Sequence, residues 1–400
     1  MTPTLRESAA RLQPELTALR RALHQEPEIG MQLPLTQAKV LAALDGLPLE
    51  ITLGRRLSSV TAVLRGGRPG PVVLLRADLD ALPVQESAEL PYASRLPGAM
   101  HACGHDLHTA ALVGAVRLLA ERRAELAGSV VFMFQPGEEA GGGAGIMIEE
   151  GVLTAAGEPP VAAYALHVAA SVLPLGLVAT RPGPLMASSD TLTVTVRGRG
   201  GHGSSPHLAL DPIPVACEAV LALQTMVTSR FDAQDPVVLT VGSFHAGTAG
   251  NVIPEQAELA ATLRAFSPEA RERALAQAAT VVRGIAAAHG LTAEVEHHEG
   301  YPVTVNHAAE TAFAIRTARQ LLGPARLVEM PRPITGSEDF SMIAERISSA
   351  FLMVGACPPD RDPSKAPYNH APQAAFDDSV LGDAAALLAA LAFERLHQEQ

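Results

Sequence analysis

The chain has 400 residues, 48% hydrophobic and 18% charged, which excludes a disordered chain and allows more than one domain's worth of core. A formal net charge of -12 argues against nucleic-acid binding, and the absence of Trp, with aromatics at 4%, argues against stacking platforms for bases or sugars. Only Cys103, Cys217 and Cys357 occur, too sparse a set for a disulfide framework, so a reducing compartment, the cytoplasm, is expected.

Leu12, Leu16, Leu19 and Leu23 recur at helical spacing with Arg20 and Arg21 between them, so the first segment reads as an amphipathic helix docked on a core. Glu7 and Glu15 interrupt the positive charge that a transit peptide carries, and no uninterrupted run of about 18 apolar residues predicts a membrane span. Residues 71–78 read as a buried strand (Val72, Val73, Leu74, Leu75), 105–127 as a helix, 129–134 as a second strand and 161–166 as a third ending at His167. Strands alternating with helices imply a mostly parallel sheet, in which ligands gather beyond the carboxyl ends of the strands.

From about residue 186 the pattern changes. Residues 191–196 alternate with period two, 211–229 read as a helix, 237–244 and 258–265 as strands, 267–289 as a helix capped by Ser267 and Pro268 and stopped at Gly290, and 291–295 as a strand. The order is βαββαβ, a ferredoxin-like insertion. Helices at 308–322, 337–345 and 379–397 and a strand at 350–354 follow. The expected fold is therefore α/β. A mixed, mostly parallel sheet flanked by helices forms discontinuously from 1–186 and 299–400, and a ferredoxin-like domain is inserted at 187–298.

The densest chemistry lies in His101, Cys103, His105, Asp106 and His108. Three histidines and a cysteine before a helix start favour a transition metal. An extended stretch would point Cys103 and His105 to one side, and Asp106 could orient a ligand histidine. The plainer alternative is a polar cap around a buried thiol. Glu138 and Glu139 follow a buried strand, where one carboxylate can ligate a metal while its neighbour acts as general base; an exposed acidic turn is the alternative. Asp78 and Asp80 share a strand end and could hold a metal or a ligand histidine, or form a turn bridged to Arg76. His167 and His370 matter if one site draws on several strand ends. Glu338 and Asp339 read as either a capping pair at a helix start or pocket lining. No zincin motif, nucleophile elbow or P-loop is present.

These residues resemble the M20 metallopeptidases, in particular the amidohydrolase branch that includes hippurate hydrolases, aminoacylases and auxin-conjugate hydrolases. The likeness runs through Arg76 to Pro83, Met100 to His108, Gln135 to Glu139, His167, Gly201 to His207, Gly247 to Pro254, Gly336 to Phe340 and Asn369–His370. It implies a zinc-exopeptidase-like catalytic domain and two divalent metal ions, zinc or manganese with cobalt or nickel as alternatives, held by Cys103, His105, Glu139, His167 and His370. It further implies Glu138 as general base, Asp80 as the aspartate that orients a histidine ligand, and His202 completing the active site, often from a partner subunit. Asn251 and Arg264 match residues that hold the substrate's carboxylate or oxyanion. The inserted domain is implied to be a lid and to join subunits into a homodimer or tetramer. The implied reaction is hydrolysis of the amide bond of N-acetyl or N-benzoyl amino acids. The alternatives are a dipeptidase or aminopeptidase of the same chemistry, and a metal-holding binding protein without catalysis.

Overall fold

The structure, a computed structural model, describes residues 2–139 and 141–398. It divides into two compact units, one of Met1–Leu185, Val305–Arg332 and Asp339–Gln400, the other of Met186–Thr304 and Pro333–Glu338. The inserted stretch expected at 187–298 thus lies within the second unit, which also takes in a short later segment.

The first unit is built on an eight-stranded mixed sheet in the order Glu50–Leu53, Val60–Arg65, Ala127–Gln135, Arg68–Asp78, Ala162–Ala169, Ser349–Gly355, Val178–Thr180, Leu327–Glu329. The four central strands run parallel, and antiparallel pairs flank them on both sides. Ala162–Ala169 and Ser349–Gly355 are buried along their whole length, as expected when helices cover both faces of a parallel sheet. The helices Thr2–His24, His105–Glu121 and Val380–His397 pack on one another over this core. Because the central strands are parallel, their carboxyl ends deliver Asp78, Gln135 and the end of the His167 strand to one edge.

Two expected helices differ. The helix expected at 105–127 stops at Glu121, passes through a 3-10 turn at Arg123–Glu125, and Ala127 already pairs with Arg68 in the sheet. The helix expected at 337–345 is reduced to Ser341–Ala344, because Asp339 turns inward to bond core partners instead of capping.

The second unit is a four-stranded antiparallel sheet, ordered Val237–Ala246, Gln256–Ala265, Asp190–Arg197, Thr292–Glu299, carrying the helices Pro212–Arg230 and Pro268–Ala288. Along the chain its elements run βαββαβ. Leu192, Val194 and Val196 alternate inward. Asp211 caps the first helix by accepting the Ile213 N–H, and Ser267 caps the second by accepting the Ala270 N–H. Pro212–Arg230 is long and apolar enough to cross a membrane by composition, but Val215, Ala216, Ala219, Leu223 and Met226 are buried in the core of this unit.

Gly104 links the histidine cluster to the helix His105–Glu121 with a φ of +85°, and a Cβ there would lie 2.4 Å from Val168 Cγ2 and 3.1 Å from the Phe376 ring. Gly104→Ala therefore meets both a backbone penalty and an overpacked core. It is expected to lower stability by about 1–3 kcal/mol in urea unfolding, and an unchanged midpoint would refute this account of the turn.

Candidate metal centre

Cys103 lies in a turn and His105 is the first residue of a helix, so the extended geometry expected from their spacing is not what joins them. The left-handed Gly104 folds the chain back instead. Ligand atoms of Cys103, His105 and His167 fall within 4.8 Å of one another, as do those of Cys103, Glu139 and His370, and of His105, Glu138 and Glu139. Six residues from four separate chain segments thus converge in the first unit.

The side chains are aimed by main-chain partners. His105 Nδ1 donates to the Asp80 carbonyl at 2.8 Å, and His167 Nδ1 donates to the Val168 carbonyl at 2.8 Å, so in both rings Nε2 is left facing the cluster. Cys103 Sγ is 3.3 Å from His167 Nε2 and 3.2 Å from His370 Nε2. His370 Nε2 is also 2.9 Å from a Glu139 oxygen. His370 reaches inward from a left-handed backbone, φ +73°, which costs a residue with a side chain free energy and is held by its own N–H donating to the Ala102 carbonyl. Beside it, Asn369 accepts the Ala170 N–H and donates to the Val168 carbonyl.

Asp80 lies against His105, with Oδ1 3.6 Å from His105 Nδ1, but holds the ring chiefly through its main chain. Its main-chain carbonyl orients His105, while its two carboxylate oxygens accept the N–H groups of Glu138 and Glu139, each at 3.0 Å. The adjacent glutamates are therefore clamped by a third carboxylate through their backbone. Asp106 does not orient a ligand histidine. It is fully buried and accepts from Arg20 at 2.8 Å and from His24 at 2.7 Å, while the far side of His24 meets Glu86 at 3.1 Å. Burial pushes Asp106 up, but Arg20 and His24 more than reverse it and hold the carboxyl well below the usual range. Asp339 is neither a cap nor a surface group: it is buried and accepts from Arg76, Gln135 and the Ala144 N–H. Reading the sequence could not have found these pairs, because their members lie far apart along the chain.

His202, Asn251 and Arg264 all lie in the second unit. His202 and Asn251 are exposed neighbours on a two-residue ladder in which His202 faces Val252 and Gly203 N–H donates to the Asn251 carbonyl at 2.8 Å. Arg264 is half-buried on the strand Gln256–Ala265 and donates to Ser337 Oγ at 2.9 Å; burial lowers its affinity for its proton.

The donor set fits a metal. Tetrahedral zinc with sulfur, nitrogen and oxygen ligands implies about 3.5 Å between donor atoms, close to the separations around Cys103. His105 Nε2 is buried and has no hydrogen-bond partner among the described residues. Burial works to lower the His105 pKa and the Asp78 carboxylate more than reverses this, raising it well above the ordinary value. The opposite holds at His167, which burial, helped by His108, pushes down to about 3.

The Asp80 clamp gives a direct test. Asp80→Asn replaces one acceptor with a donor facing a main-chain N–H, leaving a buried donor unpaired. Stability is expected to fall by about 1–3 kcal/mol by guanidinium unfolding of the metal-free protein; a variant as stable as the parent would remove the clamp from the account.

Residues 74–394 match peptidase family M20/M25/M40. The N-acetylcysteine deacetylase of Bacillus subtilis is 38% identical over 341 residues, 85% of this chain and 88% of that protein. IAA-amino acid hydrolase ILR1-like 4 of Arabidopsis thaliana is 37% identical over 381 residues, 94% of this chain and 84% of that protein. A solved structure from Bacillus subtilis, the YXEP protein, described as a dinuclear metal-binding peptidase of the M20 family, superposes with a TM-score of 0.84 at 34% identity, covering 98% of this chain and 100% of that one. With its ligand-type side chains gathered at the sheet edge and this likeness along nearly its whole length, the chain belongs to the M20 peptidase family, on its amidohydrolase side.

Proposed function

We propose that this metal-dependent amide hydrolase cleaves N-acyl amino acids, releasing the acyl group as a carboxylic acid and the amino acid as a free amine. The observation that carries the reading is the clamped Glu138–Glu139 pair beside the Cys103, His105, His167 and His370 cluster. Cys103, His105, Glu139, His167 and His370 would hold two divalent ions. Such ions supply a lowered pKa for water and polarise the amide carbonyl.

The remaining chemistry belongs to the chain. Glu138 is almost fully buried, its main chain is held by Asp80, and its carboxylate lies near His105 and Glu139. It takes the proton of the attacking water and later delivers it to the departing nitrogen. Glu139 is pushed up by burial, but the hydrogen bond to His370 and the nearby His105 outweigh this and keep it below the usual carboxylate range, suited to a ligand and not to a base. The two neighbours thus divide the roles. His202, Asn251 and Arg264 would read the substrate's carboxylate and oxyanion from the inserted domain, acting as a lid and as the contact of a homodimer or tetramer.

The substrate class is supported by the deacetylase and amino acid hydrolase relatives, both named for releasing an amino acid from an acyl partner. Zinc suits the Cys and His donors, and manganese the carboxylates. Three free cysteines fit a reducing cytoplasm.

Enzyme stripped of metal and reloaded is expected to cleave N-acetyl and N-benzoyl amino acids only when loaded. Unblocked dipeptides cleaved in their place would make it a peptidase, and no turnover with metals bound would leave a binding role. Glu138→Gln is expected to keep its metals and lose about 10²–10⁴-fold in kcat; wild-type kcat would remove Glu138 from the reaction. Burial pushes the Cys103 thiol up to about 12 despite the opposing pull of His105. The metal-free thiol is therefore protonated, loading exchanges that proton for the ion, and affinity rises with pH. Calorimetric titration in buffers of different ionisation heat should register proton release, and none at neutral pH would remove Cys103 as a thiolate ligand.

A further inference from the structure

His108 is the third histidine of the cluster, one helical turn beyond His105, and the ligand set just described leaves it without a task. Its ring lies between those of His105 and His167, with centroids 5.3 and 4.7 Å away. Proximity alone would make it a ligand, together with Asp78 and His105. Its hydrogen bonds say otherwise. Nδ1 donates to Asp78 Oδ1 at 2.6 Å, and Nε2 accepts the Val168 N–H at 2.8 Å. Both nitrogens are committed, and the Val168 N–H fixes the tautomer, since only a bare Nε2 accepts a donor.

Asp78 is equally committed. Its second oxygen accepts Arg76 Nη1 at 2.7 Å, and Arg76 in turn donates to Gln135 at 2.9 Å and to Asp339 at 2.7 Å. Asp78, Arg76, His108 and Asp339 are all buried to within 1%. A chain of charge-assisted bonds therefore runs from Asp339 through Arg76 and Asp78 to His108. It ends on the main chain directly after His167, whose own Nδ1 donates to that same Val168.

We propose that Asp78 and His108 are positioning residues of the metal centre: Asp78 sets the tautomer and ring plane of His108, and His108 sets the position of the main chain that aims His167. The inference rests on the reading of His167 as a metal ligand. Every polar atom of the relay has a partner, so it rigidifies what it touches, and outer partners of this kind typically govern metal affinity by about 10–100-fold.

Asp78→Asn is isosteric yet reverses one bond. With the carboxamide oxygen of the variant kept on Arg76, its amide N–H faces His108 Nδ1, which must then accept and carry its proton on Nε2, against the Val168 donor. The probes are zinc for affinity and cobalt(II) for geometry, added to chelator-stripped protein whose folding is checked by melting. For the folded variant, zinc affinity is expected to fall about 10–100-fold, and the visible bands of the cobalt-loaded protein to shift. His108→Gln, whose amide oxygen reaches towards the Nε2 position, should retain more affinity than His108→Ala, and this pair decides the matter if Asp78→Asn prevents folding. Wild-type affinity and an unchanged cobalt spectrum in a folded Asp78→Asn, or equal losses in both His108 variants, would overturn the inference alone. A parent chain that binds neither metal would overturn the ligand reading and this inference with it.

Discussion

Everything at the working edge of the first unit depends on bringing carboxylates together in a place with little water. Asp78, Asp80, Glu138 and Glu139 crowd around His105, and buried like charges are tolerable only when each is paired or neutralised. Three of the four are satisfied in different ways. Asp78 takes a guanidinium and an imidazole, Asp80 takes two main-chain N–H groups, and Glu139 takes His370. Among the described residues the arrangement leaves His105 Nε2 buried without a hydrogen bond, 3.7 Å from Asp78 Oδ2.

The fold supplies that crowding with few parts. Parallel strands deliver their last residues to one edge, and the first residue of the helix beginning at His105 bonds the Asp80 carbonyl there. The antiparallel strands on either side widen the sheet without adding to the cluster. Glycine at 104 makes the turn possible because no side chain fits between it and Val168. A sheet edge, one turn and one helix start therefore account for most of the placement, and hydrogen bonds to main-chain atoms account for the aim of each ring.

The chemistry legible in the sequence is local. Cys103 and His105, the Glu138–Glu139 pair and the period-two strand around Val194 announce themselves within a few residues. Long-range partners do not. Arg76 meets Asp339 across 263 positions and His24 meets Asp106 across 82, and nothing in the intervening residues encodes either meeting. A carboxylate at an apparent helix start looks alike as a cap or as pocket lining, and only the inward turn of Asp339 reveals a third use. The strand Glu50–Leu53 alternates polar and apolar residues over only four positions, and all four are exposed, so no buried face marks it. His108 stands out by type, but the commitment of both its nitrogens depends on residues 30 and 60 positions away.

The left-handed His370 has a consequence for when the cluster is complete. It contacts Cys103 across 267 positions, and the whole inserted domain lies between them in the chain. A cluster closed by residues this far apart exists only in the folded chain, so local opening of the His370 loop would break it without unfolding the sheet.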